Sequence, residues 1–218
     1  DRAASAEAEG QAMAVEQAMG VEVSPQTGRL RELAFHGAAI ESHALHVFCL
    51  ALPDLLNRAS VIELSADAPE TVATALRLKK LGNTIQEVIG GRAVHPVNYA
   101  IGGFGRLPAA ADLARLRDDL SAGLEDCDRA VAAVAGVAVP AFAAEPIRCA
   151  ALEPRDGSWF FGDTIRLSGG LTIPVDAYRT LTNERAVAHS TARHSRADGK
   201  PYMVGALPRL TLNGHLVT

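Results

Sequence analysis

Cysteine is scarce in this chain: three in 218 residues, at Cys49, Cys127 and Cys149, none of them in a Cys-x-x-Cys pair. Their spacing excludes a local thiolate metal or redox motif. An odd number without local pairing suits a reducing compartment. Cys49 lies within an apolar stretch and reads as a small core residue. A strong charge of one sign is lacking too. With a net charge of -4 and Lys and Arg scattered among acids, the chain has no electrostatic footprint for nucleic acid. No apolar run reaches the length of a membrane span. The most apolar stretch, 44–56, is short and holds His46, as a buried core helix would. The first dozen residues are rich in Ala, Glu and Gly rather than basic and then apolar, which is not a secretory signal pattern. These absences together give the expectation of a cytoplasmic chain with neither nucleic acid nor membrane as a partner.

What is present is helical periodicity. Hydrophobic residues make up 48% and charged residues 21%, ordinary for a chain with a real core, and the length suits one large domain or two small ones. Composition favours helix up to Gly20. A long helical pattern covers 27–56, with Leu30, Leu33, Gly37, Ile40, Ala44, Val47, Ala51 and Leu55 in steps of three and four. A second covers 68–89, with Val72, Leu76, Ile85 and Ile89 on one face, and a third covers 109–135. Leu113, Leu116, Leu120, Leu124, Cys127, Val131 and Val134 form the seam of that third helix. Beyond Gly136 the character changes. A small apolar stretch at 137–144 is broken by Pro140, and β-like pieces follow at 147–151, 159–161, 164–167 and 171–175. Asp156-Gly157 and Gly169-Gly170 are turn signals between them. The expected fold is α+β and mainly α: a helix-bundle core over 1–136, then a small β appendage with a return segment over 137–218.

Three segments could carry chemistry. Gly90-Gly91-Arg92-Ala93-Val94-His95-Pro96, followed by Gly102-Gly103-Phe104, brackets one guanidinium and one imidazole with glycine pairs. Glycine allows positive φ and close approach of the backbone, and Pro96 biases His95 away from helical geometry. The same glycines would serve a plain helix cap and turn. Glu41-Ser42-His43-Ala44-Leu45-His46 places polar groups on the long helix, with His46 on its solvated side. His189-Ser190-Thr191-Ala192-Arg193-His194 puts His189 and Arg193 on one face if it is helical, although its composition is that of a solvated surface. No segment has the spacing of a zincin, a nucleophile elbow or a phosphate-binding loop. The residues alone yield a helical protein with a His/Arg-lined site and no named reaction.

In their order along the chain these segments resemble the large (alpha) subunit of nickel–iron hydrogenases, closest to its cytoplasmic multi-subunit branch. The matching pieces are Gly20 to Pro25, Leu30-Arg31-Glu32-Leu33, Ile40 to His46, Leu52-Pro53-Asp54 and Gly90 to Asn98. Gly102-Gly103-Phe104, His189-Ser190-Thr191-Ala192, Tyr202 to Leu207 and Arg209-Leu210 complete the series. The resemblance implies a large-subunit-like fold and reversible oxidation of hydrogen to protons and electrons. It implies a nickel–iron centre held by two pairs of cysteine thiolates, soft ligands suited to those metals. Its partners would be an iron–sulfur small subunit, joined by further flavin or iron–sulfur subunits. By resemblance Ser42 and His43 lie near the metal, and Arg92 and His95 lie between the metal and its proximal iron–sulfur partner. His189 and Arg193 are weaker candidates.

The chain departs from the family in holding neither cysteine pair; the second cysteine of the first pair would fall near Ala3. Pro208 stands where the family usually has Ala. The expectation is the central part of such a subunit, binding no cofactor and inactive by itself, with apolar helix faces left exposed. An alternative is a metal-free scaffold within a quinone-reductase-like electron-transfer complex. A third reading places His95 and His189 around a different metal.

Overall fold

The computed structural model describes residues 2–138, 147–155 and 158–216. They fall into two compact units, Asp1–Val139 and Pro140–Thr218.

The first unit is helical. Helix α1 (Arg2–Met19) is built from Ala and Glu, strong helix formers, and ends at Gly20, whose φ of +67° follows a last turn closed by Val21 N–H donating to Glu16 O. Helix α2 (Pro25–Leu45) starts at Ser24, whose hydroxyl accepts the Thr27 N–H at 3.1 Å, with Pro25 in the first turn. It runs without a break into a π-helical turn (His46–Ala51) and the short α3 (Leu52–Leu55). Helix α4 (Val61–Asp67) is capped by the Ser60 hydroxyl accepting Glu63 N–H. Helix α5 (Pro69–Gly90) ends at Gly91, in the left-handed region at φ +81°. A two-stranded ribbon of β1 (Tyr99–Ala100) and β2 (Gly103–Phe104) precedes α6 (Ala110–Ala135).

Helices α2 and α5 cross backbone to backbone. A Cβ on Gly82 would lie 2.5 Å from the Gly37 carbonyl oxygen and 2.6 Å from Glu41 N, and one on Gly37 would lie 2.7 Å from the Ile85 side chain. Close contact at this crossing lets Leu30, Ala34, Ile85 and Ile89 meet Leu116 of α6 in one core cluster. A second cluster joins Phe48, Leu52, Leu64 and Ala75.

In the second unit β3 (Ala150–Leu152), β4 (Thr164–Leu167) and β5 (Thr172–Pro174) form an antiparallel sheet in the order 3-4-5. Gly169 and Gly170 turn the chain between β4 and β5, both at positive φ. After the short α7 (Tyr178–Leu181), β6 (Thr182–Val187) and β7 (Ser190–Ala197) make a separate hairpin. Helix α8 (Ala206–Asn213) closes the unit, its buried Asn213 donating to Leu152 O at 2.8 Å.

The long helical patterns are thus present, with several differences. The π-helical turn interrupts the pattern over 27–56, and α4 lies where no element was expected, although Ser60-Val61-Ile62-Glu63 is a capping signal. Leu76 is 57% exposed, because the face of α5 that meets α2 is the Gly82 face. Leu116 of the α6 seam is buried, whereas Cys127 is exposed and Leu124 and Val131 are 67% and 66% exposed. At the end of the seam Val134 packs against the cluster of Phe48, Leu52, Leu64 and Ala75, whereas Leu124 and Val131 find no such cover among the described residues. Cys49 is half-buried rather than core. No strand forms at 159–161, and the segment 183–197 is a hairpin, which removes the helical pairing of His189 with Arg193. Most of the stretch 137–144 and the Asp156-Gly157 turn lie outside the described residues.

The crossing predicts a sign. Helix propensity favours Gly82→Ala by about 1 kcal/mol, but the added methyl meets backbone, which cannot swing away, so a net loss of about 1–3 kcal/mol is expected. Urea melts of the variant against the parent chain measure it.

Candidate functional site

Loop 91–98 is held at its base. Gly90 O accepts the N–H groups of Val97 (2.9 Å) and Asn98 (3.1 Å), and Pro96 packs where a Cβ on Gly90 would sit, 2.8 Å away. The Asn98 amide donates to Ile89 O and Arg106 O, both at 2.7 Å, and accepts Arg106 N–H at 2.9 Å. One side chain therefore ties the end of α5 to the segment after β2. Arg92 and His95 both project from this anchored loop, exposed. His95 has φ +53°, outside the right-handed helix and outside the extended region that a following proline favours, at a cost to a non-glycine residue of about 1 kcal/mol or more.

Beside the loop lies a buried ion pair that the sequence reading did not single out. Arg31 of α2 and Glu16 of α1 meet in a bidentate pair, both bonds 2.8 Å, with side chains 3% and 5% exposed. Arg31 also donates to the carbonyls of Ala100 (3.1 Å) and Gly103 (3.2 Å), and Glu16 accepts Gly102 N–H at 2.8 Å. Gly102 is at φ +85°, which turns its N–H toward that carboxylate. The Phe104 ring stands 5.9 Å from the guanidinium and 5.4 Å from the Tyr99 ring. Hydrogen bonds from Arg31 hold the Glu16 carboxyl below the usual range against the effect of burial. Glu9, also buried on α1, lacks such a bond. Burial pushes its carboxyl up to about 7, with Arg31 opposing and Glu32 adding to the shift. Burial likewise raises the Tyr99 hydroxyl. The sequence signal was available: Glu9, Ala12 and Glu16 recur at helical spacing and form the buried stripe of α1.

Ser42 and His43 are half-buried on α2, where His43 Nδ1 lies 2.7 Å from Ala39 O. Their neighbour Glu41 is buried against α5, 3.5 Å from Lys79 Nζ. His46, exposed, begins the π-helical turn. Glu41 meets α5 at Lys79 and Gly82, whereas the Arg92 loop begins at Gly91, roughly 15 Å further along that helix axis at 1.5 Å per residue. Ser42 and His43, next to Glu41 on α2, therefore lie far along α5 from the Arg92 loop. His189 and Arg193 are exposed on the β6–β7 hairpin; His189 meets His194 edge-on, with ring centroids 5.3 Å apart.

No family model matches the chain. Its sequence is 35% identical to the sulfhydrogenase 1 alpha subunit of Pyrococcus furiosus, over 94% of this chain and 48% of that protein. Against the sulfhydrogenase 2 alpha subunit of the same organism it is 36% identical, over 94% and 47%. It is 33% identical to the coenzyme F420 hydrogenase alpha subunit of Methanocaldococcus jannaschii, over 41% of this chain and 20% of that one. Its homologues are hydrogenase alpha subunits. Its fold is similar to a chain in the crystal structure of NAD+-reducing [NiFe]-hydrogenase in the H2-reduced state, with a TM-score of 0.67 and 23% identity over 87% of this chain and 48% of that one. The chain spans about half the length of the curated relatives that it matches along nearly all of its own.

For a hydrogenase alpha-subunit relative the decisive question is its thiolates. Cys49 is half-buried in the π-helical turn; Cys127 is exposed on α6. Partial burial raises the Cys127 thiol, and Asp126 and Asp128 raise it further, the opposite of what a metal-binding thiolate needs. Cys149 is buried in the second unit with its Sγ 3.6 Å from Ile147 O. Among the described residues no three His, Cys, Asp or Glu side chains gather as a metal ion would require, nor does any helix have the length and hydropathy to cross a membrane. The residues present do not fit a four-thiolate nickel–iron centre, and no described cluster includes His95 or His189.

Two outcomes follow for the buried charges. Arg31→Met strands the Glu16 carboxylate without its partner and is expected to cost about 3 kcal/mol, read from denaturant melts at pH 7. Glu9 holds its proton more tightly folded than unfolded, so its contribution to stability falls as pH rises from about 4.5 to about 7 and is level above. Glu9→Gln should remove that decline, leaving melting temperature flatter across the same window.

Proposed function

We propose that this chain forms part of a hydrogenase alpha subunit whose complete form interconverts hydrogen with protons and electrons. The observation that carries the reading is the alignment with sulfhydrogenase alpha subunits over 94% of the chain. In this reading the fold is that of the large subunit, with helical residues 1–136 and a β-containing part at 137–218, and the protein is cytoplasmic. Its partners are an iron–sulfur small subunit, joined by further flavin or iron–sulfur subunits. The nickel–iron centre is supplied by thiolates that the 218 residues do not carry, so the chain alone is inactive.

Arg92 and His95 have positioning roles here. They are exposed on a loop whose base is stapled by Asn98, so both heads are held out toward a neighbour while the backbone stays fixed. Ser42 and His43 act from α2, near the metal. His189 and Arg193 remain weaker candidates, on the hairpin. A second reading, a metal-free scaffold in an electron-transfer complex, is favoured by the same scattered cysteines.

The test uses the complete subunit, purified with its partners. Arg92→Ala and His95→Ala are expected to slow hydrogen-dependent dye reduction roughly tenfold or more, as losses around a metal site do, with unchanged melting. Full rates from both variants would overturn the positioning role. Stoichiometric nickel and hydrogen-dependent dye reduction by the 218-residue chain alone would refute its inactivity. A complete natural subunit that binds no nickel and turns over no hydrogen would leave the scaffold reading in its place.

A further inference from the structure

Apart from His189 and Arg193, the β6–β7 hairpin is absorbed by none of these roles. Its strands pair Arg185 directly opposite His194 and Asn183 opposite Arg196. Opposed residues, and residues two apart along a strand, share a face, so Arg185, His194 and Arg196 line one side of the ribbon. His189, in the turn, lays its ring edge-on against His194 at 5.3 Å between centroids. All four side chains are exposed.

The hairpin's acids do not neutralise this face. Glu184 stands opposite Ser195, on the other side, and the Asp198 carboxylate lies 3.8 Å from Arg148. Arg196 donates to the Gly199 carbonyl, a neutral partner. Among the described residues no carboxylate pairs with Arg185 or Arg196, in a chain whose net charge is -4. A second, independent feature is the edge. The sheet holds these two strands and no others among the described residues. On β7 the backbone of Ala197 is bonded to Lys200 and that of Ala192 to the Ser190 hydroxyl, so the outer edge of β6 is the one that offers a row of backbone N–H and C=O groups for pairing.

A row of unpaired backbone groups beside a cationic face suits strand addition, in which main-chain hydrogen bonds hold the peptide and alternate side chains select it. We propose that the β6–β7 hairpin is a docking element for an acidic, extended segment of a partner polypeptide. That segment adds along the outer edge of β6 as a third strand and sets carboxylates, two residues apart, beside Arg185, His194 and Arg196.

The experiment uses the full 218-residue chain and a fluorescein-labelled decapeptide of alternating Glu and Val, followed by anisotropy. Binding is expected, weaker at high salt, and roughly tenfold weaker to Arg185→Glu/Arg196→Glu. A Lys/Val decapeptide should not bind. A Glu/Pro decapeptide of the same charge, which lacks the N–H groups for a ladder, should bind far less well. Circular dichroism verifies that the variant folds, and Arg185→Gln/Arg196→Gln supplies the reading if charge reversal does not. No binding of the Glu/Val peptide, or equal binding by the variants, overturns the proposal. Equal binding of the Glu/Pro peptide overturns strand addition. Tighter binding of a fifteen-residue oligothymidylate, lost in the same variants, overturns it in favour of nucleic acid.

Discussion

The Glu16–Arg31 pair is the constraint on which the first unit turns. Two opposite charges that far from water are stable only if hydrogen bonds offset most of the lost hydration. Of the Arg31 guanidinium nitrogens only Nε is left without a partner among the described residues. Here the remaining bonds come from the backbone of the β1–β2 ribbon: Arg31 takes the carbonyls of Ala100 and Gly103, and Glu16 takes the N–H of Gly102. A helix, its neighbour and a glycine turn are thereby locked into one arrangement, since moving any of the three strands a buried charge. Glu9, further back on the buried stripe of α1, carries the cost of that burial without the compensation, and its carboxyl is pushed up to about 7.

The same logic explains the anchored Arg92 loop. Its position follows from the α2–α5 crossing, where Gly37 and Gly82 let two backbones touch, and from Asn98, which bonds the chain on both sides of the excursion. The result is a fixed base carrying two exposed cationic or imidazole heads, with His95 in a left-handed conformation that the surroundings impose. Such a loop needs something to face. The half-covered α6 seam, with Leu124 and Val131 open to solvent, agrees with a chain that aligns to about half of its relatives' length.

Much of this was legible in the residues. The three main helices follow from apolar steps of three and four, and their ends from Gly20, Ser24-Pro25 and Gly91, because capping and periodicity are local properties. The likeness to hydrogenase alpha subunits was legible as well, since the order of several short segments is a property of the chain itself. Less legible were α4, whose seven residues carry too few apolar positions for periodicity to show, and the π-helical turn, which leaves the apolar pattern almost unchanged. The segment 183–197 has no clear period, and its hairpin arises from pairing between strands rather than from either strand alone.

What the residues settle unaided is local or additive: helix spans, glycine turns, the scarcity of thiols, the near-neutral charge. Tertiary structure decided which charges became buried partners and which faces found cover. Glu16 and Arg31 are fifteen residues apart and meet a ribbon some seventy residues further on. Only the packing of α1 on α2 and on the β1–β2 ribbon brings those groups within hydrogen-bonding distance. A buried ion pair depends on the environment of both partners at once, and that environment exists only after the chain has folded.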